Sequence, residues 1–389
     1  MGSSAQRETP LFNPTEAEPI MRIEHINVYR VQLPVVGGAY RMASATVEAL
    51  DSTLVEIVAD NGLSGWGETC PVGPVYQPHH ALGARAALEE ICPGLIGADA
   101  TSPRAVARLM DDRLSGHGYA KAAIDIAVLD LLARHLGVSV GALLGGAITD
   151  RVPTYYSTIV GEPDDTARIA RQKVETGYPR LQIKVGGKNL EQDVETIHKV
   201  WEAVGYRARF AVDGNRGMTA GYALQLDRLS TGIPFALEQP CNTMDENQTL
   251  QGRLSRPLYL DESTEDINAV LRAIATGIAD GFGFKVTRLG GLTKAAIARD
   301  MCAIRSLPHS CDDAWGGDII AAACVHLAST VEPRRFEGAW IAQEYIEGHY
   351  DFENPVVIEN GHIRVPTGPG LGVRPDKHSL GAPTAVYGR

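Results

Sequence analysis

The chain has no Cys-x-x-Cys pair; its six cysteines stand scattered at 70, 92, 241, 302, 311 and 324. That argues against a disulfide framework and reads as the reduced thiols of a cytoplasmic enzyme. No apolar run reaches 18 residues, which excludes a membrane-spanning helix. The first 20 residues are polar, rich in Pro, Glu and Ser, and have no apolar signal core. They read as a disordered extension, with the fold beginning at Met21. There is no basic excess either: 36 Lys and Arg face 47 Asp and Glu, a net charge of −11. Phosphate binding needs a basic face, so no nucleic-acid partner is expected. A small zwitterionic substrate is not opposed, because a local metal ion and lysines override the global sign. At 389 residues, 44% hydrophobic and 21% charged, the chain is long enough for one barrel plus an accessory domain.

What is there is a rhythm of charges. Lys184, Asp213, Glu238, Asp261 and Lys285 follow one another at intervals of 29, 25, 23 and 24 residues. Each closes a short apolar run, such as Leu181-Gln182-Ile183-Lys184 or Phe210-Ala211-Val212-Asp213, and helical patterns lie between. An apolar run about every 25 residues with helix between is the period of a βα unit. In a barrel of such units every strand ends at one rim, so these charges are expected to meet in space. Any one of them alone reads as a helix cap or a surface pair; five in phase do not. Three converging carboxylates repel unless a cation sits among them, and a hard divalent ion with oxygen ligands, Mg²⁺, is the expectation. A lysine on either side of it gives two bases facing one substrate.

The rest of the chain frames this stretch. Residues 21–34 and 44–59 alternate apolar and polar, Asp60-Asn61-Gly62 signals a hairpin, and 65–69 continue the meander. A proline-rich loop, Cys70 to His80, carries Tyr76; residues 81–146 read as Ala-rich helices. This gives an α+β capping domain over 21–146. The barrel is expected over 147–362, its eight strands ending near Gly161, Lys184, Asp213, Glu238, Asp261, Lys285, Asp312 and Trp340. The tail, 363–389, is expected to return to the first domain.

These residues resemble the enolase superfamily, in its muconate-lactonising-enzyme subgroup. The resemblance implies an N-terminal α+β capping domain and a modified (β/α)7β barrel. It implies Asp213, Glu238 and Asp261 as Mg²⁺ ligands and Lys184 and Lys285 as opposed bases. The family's Lys-x-Lys departs here, because its first lysine is Gln182. Members are often oligomers, so a homo-oligomer is expected. Four fragments, 65–74, 179–184, 237–243 and 307–324, are similar to the betaine epimerases that act on 4-hydroxyproline betaine and proline betaine.

The chemistry expected from that likeness is inversion of a carbon next to a carboxylate. The proton leaves one face to one lysine and another returns from the second, while the ion carries the extra charge of the enediolate. A divalent ion is expected to lower the lysine pKa values. A methylated ammonium needs aromatic faces. Trp340 is the first candidate, then Tyr76, with Tyr156 and Trp315 behind them; Gln182 and Asp312 are further substrate contacts. His309 reads as structural, Glu262 as a second acid near the ion, and Glu68 has no role legible in sequence. Competing readings on the same scaffold are a cis-3-hydroxyproline dehydratase and a muconate cycloisomerase; a catalytically silent scaffold has no use for two opposed lysines.

Overall fold

The computed structural model describes residues 20–42, 46–74, 76–313 and 315–388. The expectation for 1–20 therefore lies, apart from Ile20, outside the described residues. In the cap, the strand Ile23–Pro34 pairs antiparallel with Ala49–Ala59, Val28 facing Val55. That strand pairs in turn with Ser64–Thr69 across the turn at Asn61 and Gly62, where φ at Gly62 is +80°. The meander gains a fourth strand from the far end of the chain, Ala385–Gly388, which pairs with the first. Not all of the tail goes to the cap: His362–Arg364 pairs with Arg151–Pro153 at the start of the barrel domain.

The helix Gly118–Leu136 lies directly on this sheet. Two strand glycines allow the approach. A Cβ at Gly65 would stand 2.2 Å from the Ala127 carbonyl oxygen, and one at Gly67 1.8 Å from that of Ala123. The helix stops at Gly137, whose φ of +68° suits the left-handed end of a helix.

Seven parallel strands form the barrel sheet: Tyr156–Ser157, Arg180–Lys184, Arg209–Asp213, Ala236–Glu238, Leu258–Leu260, Gly281–Lys285 and His309–Asp312, hydrogen-bonded in that order. The second and sixth are buried at every residue, as strands covered on both faces must be. The first ends at Ser157 rather than near Gly161, and Thr158 to Gly161 run as a loop. Residues 336–340 take the eighth place through single bridges, His309 to Phe336 on one side and Thr154 to Ala339 on the other, which closes the ring. Helices such as Leu190–Val204 and Leu292–Arg305 cross between strands, where the helical patterns between the charges put them.

Glu68, without a legible role in sequence, ties cap to barrel. Its buried carboxylate accepts from Ser52 Oγ (2.7 Å), the amides of Gly317 (2.8 Å) and Ile320 (3.1 Å), and Tyr350 OH (2.8 Å). Those amides open the helix Asp318–Ala328, so a negative charge sits where a helix favours one. Burial still pushes this carboxyl up from its usual range. All six cysteines are buried and free. No helix among the described residues is long and apolar enough to cross a membrane.

Gly67→Ala should lower the unfolding free energy by about 3 kcal/mol, because the methyl has nowhere to go. Gly221→Ala, on an open helix surface with nothing closer than 4.0 Å, should be neutral or stabilising. Urea denaturation of the two variants checks the contrast, and a Gly67→Ala protein as stable as its parent would refute the tight helix–sheet approach.

Candidate active site

One end of the barrel collects the charges. Lys184, Asp213, Glu238, Lys285 and Asp312 are the last residues of their strands, and Asp261 follows the last residue of its own. The register sets them side by side: Lys184 opposite Asp213, Asp213 opposite Glu238, Lys285 opposite Asp312. None is more than 8% exposed.

Each acid has taken a base. Lys184 Nζ lies 2.5 Å from Asp213 Oδ2. Lys285 Nζ stands between Asp261 (3.3 Å) and Asp312 (3.4 Å). Arg288, fully buried, places Nη1 2.7 Å from Asp261 Oδ1. Glu238 accepts from Gln182 Nε2 at 2.9 Å and has Arg180 at 3.7 Å. Burial works against the charge on both lysines, but Asp213 and Asp261 outweigh it and hold them above the usual lysine value. This is the reverse of the depression expected for a base, because the buried carboxylates beside each lysine favour its charged form. Burial raises Asp261, yet Lys285 and Arg288 pull it down to about 2. Glu238, less well served, is pushed up to about 8 by burial and then by Asp213 and Asp261.

Among the described residues, no three His, Cys, Asp or Glu side chains are gathered closely enough to cage an ion as they stand. The acids are turned onto the lysines and arginines instead. The donor set still fits a hard divalent cation: three carboxylates on adjacent strand ends, with no sulfur or imidazole among them. Beside them, Asn215 Oδ1 and Glu262 Oε2 are buried with no hydrogen-bond partner, while Glu262 Oε1 is held by Asn215 Nδ2 at 3.0 Å. Burial, Asp261 and Asp213 push Glu262 up to about 7. Buried oxygens that lack a partner and repel one another suit a cation nearby.

Lys184 and Lys285 line one small cavity of about 30 Å³, with Gln182, Asp261, Tyr76 and Trp340 from the expected set. Tyr76 OH also reaches Asp261 Oδ2, at 3.4 Å. Two expected contacts stand elsewhere. Tyr156 points away from the cavity, stacked on Tyr345 (5.6 Å) under Lys173 Nζ (4.3 Å). Its neighbours Tyr155 and Ser157 line the cavity, as alternation along an extended chain requires. Asp312 is spent inside the barrel: Oδ1 accepts from the Trp340 amide (2.9 Å) and Oδ2 from Ser310 Oγ (2.5 Å). The next residue, Asp313, faces the cavity in its place, fully buried, with no well-formed hydrogen bond to either oxygen. Burial, then Glu68 and Asp312, push its carboxyl well above the usual range. Tyr40, Met42, Ser157 and Tyr155 also line the cavity; a parity argument could have found the last two, but nothing local marks the others. His309 opens its strand, three residues from the mouth, with Nδ1 at 3.2 Å from the Leu307 carbonyl and the imidazole held down to about 4 by burial.

Added Mg²⁺ should raise the thermal unfolding temperature, by the equivalent of about 2.7 kcal/mol at a hundredfold excess over Kd. Glu238→Gln should abolish that gain in scans with Mg²⁺ and with EDTA. A variant stabilised as much as the parent would remove Glu238 from the site.

Comparison with known proteins agrees with this geometry. Residues 165–379 match the family model for an enolase C-terminal domain-like fold, and 25–145 the mandelate racemase/muconate lactonizing enzyme N-terminal domain. The cis-3-hydroxy-L-proline dehydratase of Roseibium aggregatum is 37% identical over 94% of this chain and 100% of its own. The L-Lys-D/L-Arg epimerase of Methylococcus capsulatus is 31% identical over 92% of this chain and 100% of its own. A member of the enolase superfamily from Roseovarius nubinhibens, solved in complex with magnesium, superposes with a TM-score of 0.90 at 32% identity, covering 95% of this chain and 100% of that one. On these matches the chain belongs to the enolase superfamily, in its mandelate racemase/muconate lactonizing enzyme group.

Proposed function

We propose that the protein is an epimerase that inverts the carbon next to the carboxylate in proline betaine and 4-hydroxyproline betaine. The observation that carries this reading is the placement of Lys184 and Lys285. They line one cavity from strands four apart in sheet order, and the strands of Asp213, Glu238 and Asp261 lie between. A divalent ion held by those three acids, Mg²⁺ on the chemistry of the donors, would supply positive charge for the substrate carboxylate. Lys184, freed from Asp213, would take the proton from one face. Lys285 keeps a partner outside the trio, Asp312, and so can stay protonated to return one to the other face. The roles exchange with the hand of the substrate. Within the same cavity, Trp315, Trp340 and Tyr76 offer aromatic faces to a quaternary ammonium, and Asp313 offers a carboxyl that a bound cation would draw towards its charged form. A quaternary nitrogen acidifies the neighbouring C–H and has no N–H for a Schiff base, which suits a site built this way. That relatives include an L-Lys-D/L-Arg epimerase and an N-succinylamino acid racemase supports the two-base reading.

A second reading has its own observations. The dehydratase from Roseibium aggregatum is similar over its whole length, and the Asp313 carboxyl that lines the cavity would equally accept N–H bonds from a secondary ammonium. The same lysine pair would then remove the proton and protonate a departing hydroxyl.

Proton NMR in D₂O separates the two. Deuterium entering proline betaine with inversion supports the epimerase; loss of water from cis-3-hydroxyproline, with no exchange into the betaine, would replace it by the dehydratase. Lys184→Ala and Lys285→Ala should each reduce inversion by roughly 10²-fold or more. One of them should keep exchange on a single face. Inversion at the parent rate in either variant would end the two-base scheme.

A further inference from the structure

We infer that Tyr40 is a specificity-determining residue, the partition that limits how large a substituent the substrate nitrogen can carry; this rests on the epimerase reading above. Tyr40 is 5% exposed, on a two-stranded ribbon of the cap in which Tyr40–Arg41 pairs with Thr46–Val47. It lines the lysine cavity and also a separate cavity of about 390 Å³, bounded by Val36, Gly38, Tyr156, Glu162 and Tyr345. Tyr40 lines both, and its ring meets Trp315 (5.1 Å) and Tyr345 (5.4 Å) in edge-to-face contacts.

What holds the wall in place is a chain of hydrogen bonds. Tyr40 OH lies 3.1 Å from Ser157 Oγ, Ser157 Oγ donates to Gln182 Oε1 at 2.8 Å, and Gln182 Nε2 donates to Glu238 Oε1 at 2.9 Å. Since the Ser157 proton is spent on Gln182, the Tyr40 hydroxyl is the donor to Ser157. The ribbon is tied to the barrel beside the ring, where the Arg41 carbonyl accepts from the Val160 amide at 3.2 Å. Gly37 and Gly38 just before it have φ of +73° and +103°, and nothing stands within 4 Å of where their Cβ atoms would be. The ring is placed by its hydroxyl tip and by the two rings it meets at near right angles. Gln182, where the family motif has a lysine, is the link that reaches from an acid of the trio to this wall. Cutting the ring back joins about 30 Å³ to about 390 Å³ beside the nitrogen end of the substrate.

The test compares α-deuterium exchange into proline betaine and into the larger N-benzyl-N-methylproline betaine, for the parent, Tyr40→Phe, Tyr40→Val and Tyr40→Ala. The parent should exchange only the smaller. Tyr40→Phe keeps the wall and loses the latch, so it should still refuse the larger one while KM for proline betaine rises about 5-fold with kcat little changed. Tyr40→Ala or Tyr40→Val should gain exchange into the larger betaine by at least tenfold, a gain that damage to the fold would not produce. The inference is overturned if neither truncation gains it, or if the parent or Tyr40→Phe already accepts it. If the parent exchanges neither betaine, the epimerase reading falls and takes this one with it.

Discussion

Three carboxylates are buried side by side at the end of one sheet, and most of the site follows from what that demands. In a low-dielectric interior, unpaired like charges are expensive, and removing one partner of a buried pair typically costs ~3–5 kcal/mol. The protein answers with four buried cations, Arg180, Lys184, Lys285 and Arg288, each set against an acid of the trio. The lysines that read as bases are thus also counter-ions. A divalent cation would compete with them for the same oxygens. Neutralising the acids by another route is what would let a buried lysine give up its proton, so ion and base are coupled through Asp213 and Asp261.

The cap completes this arrangement. Glu68 fastens its sheet to the helix that follows the seventh barrel strand, and Gly65 and Gly67 let its long helix sit close behind. Tyr76 from one cap loop and Tyr40 from another then reach over the mouth, and the remaining room is about that of one water molecule. A ligand larger than that needs the side chains around the cavity to give way. Once inside it would be held among aromatic rings with little water, where the field of fixed charges is strongest.

The strand-end residues were legible because their signal is linear: an apolar run, a charge, a turn, repeated at barrel pitch. The same holds for the cap meander and the crossover helices. What failed was side-chain parity near irregular backbone. Tyr156 and Tyr155 are adjacent, and which one faces inward depends on where a two-residue strand starts. Asp312 and Asp313 differ in the same way across the last residue of the seventh strand. Glu68 was invisible because its partners across the domain boundary lie 249, 252 and 282 residues away, at 317, 320 and 350.

The amino-acid sequence by itself determined the succession of strands and helices, and with it which charges would share a barrel mouth. Period and composition are local properties, and a barrel turns equal spacing into a shared rim. Tertiary structure alone decided which of two neighbouring side chains points inward and which acid each cation takes. It also decided that Tyr40 should stand between two cavities. Those outcomes depend on packing between segments distant in the chain, and no local pattern encodes them.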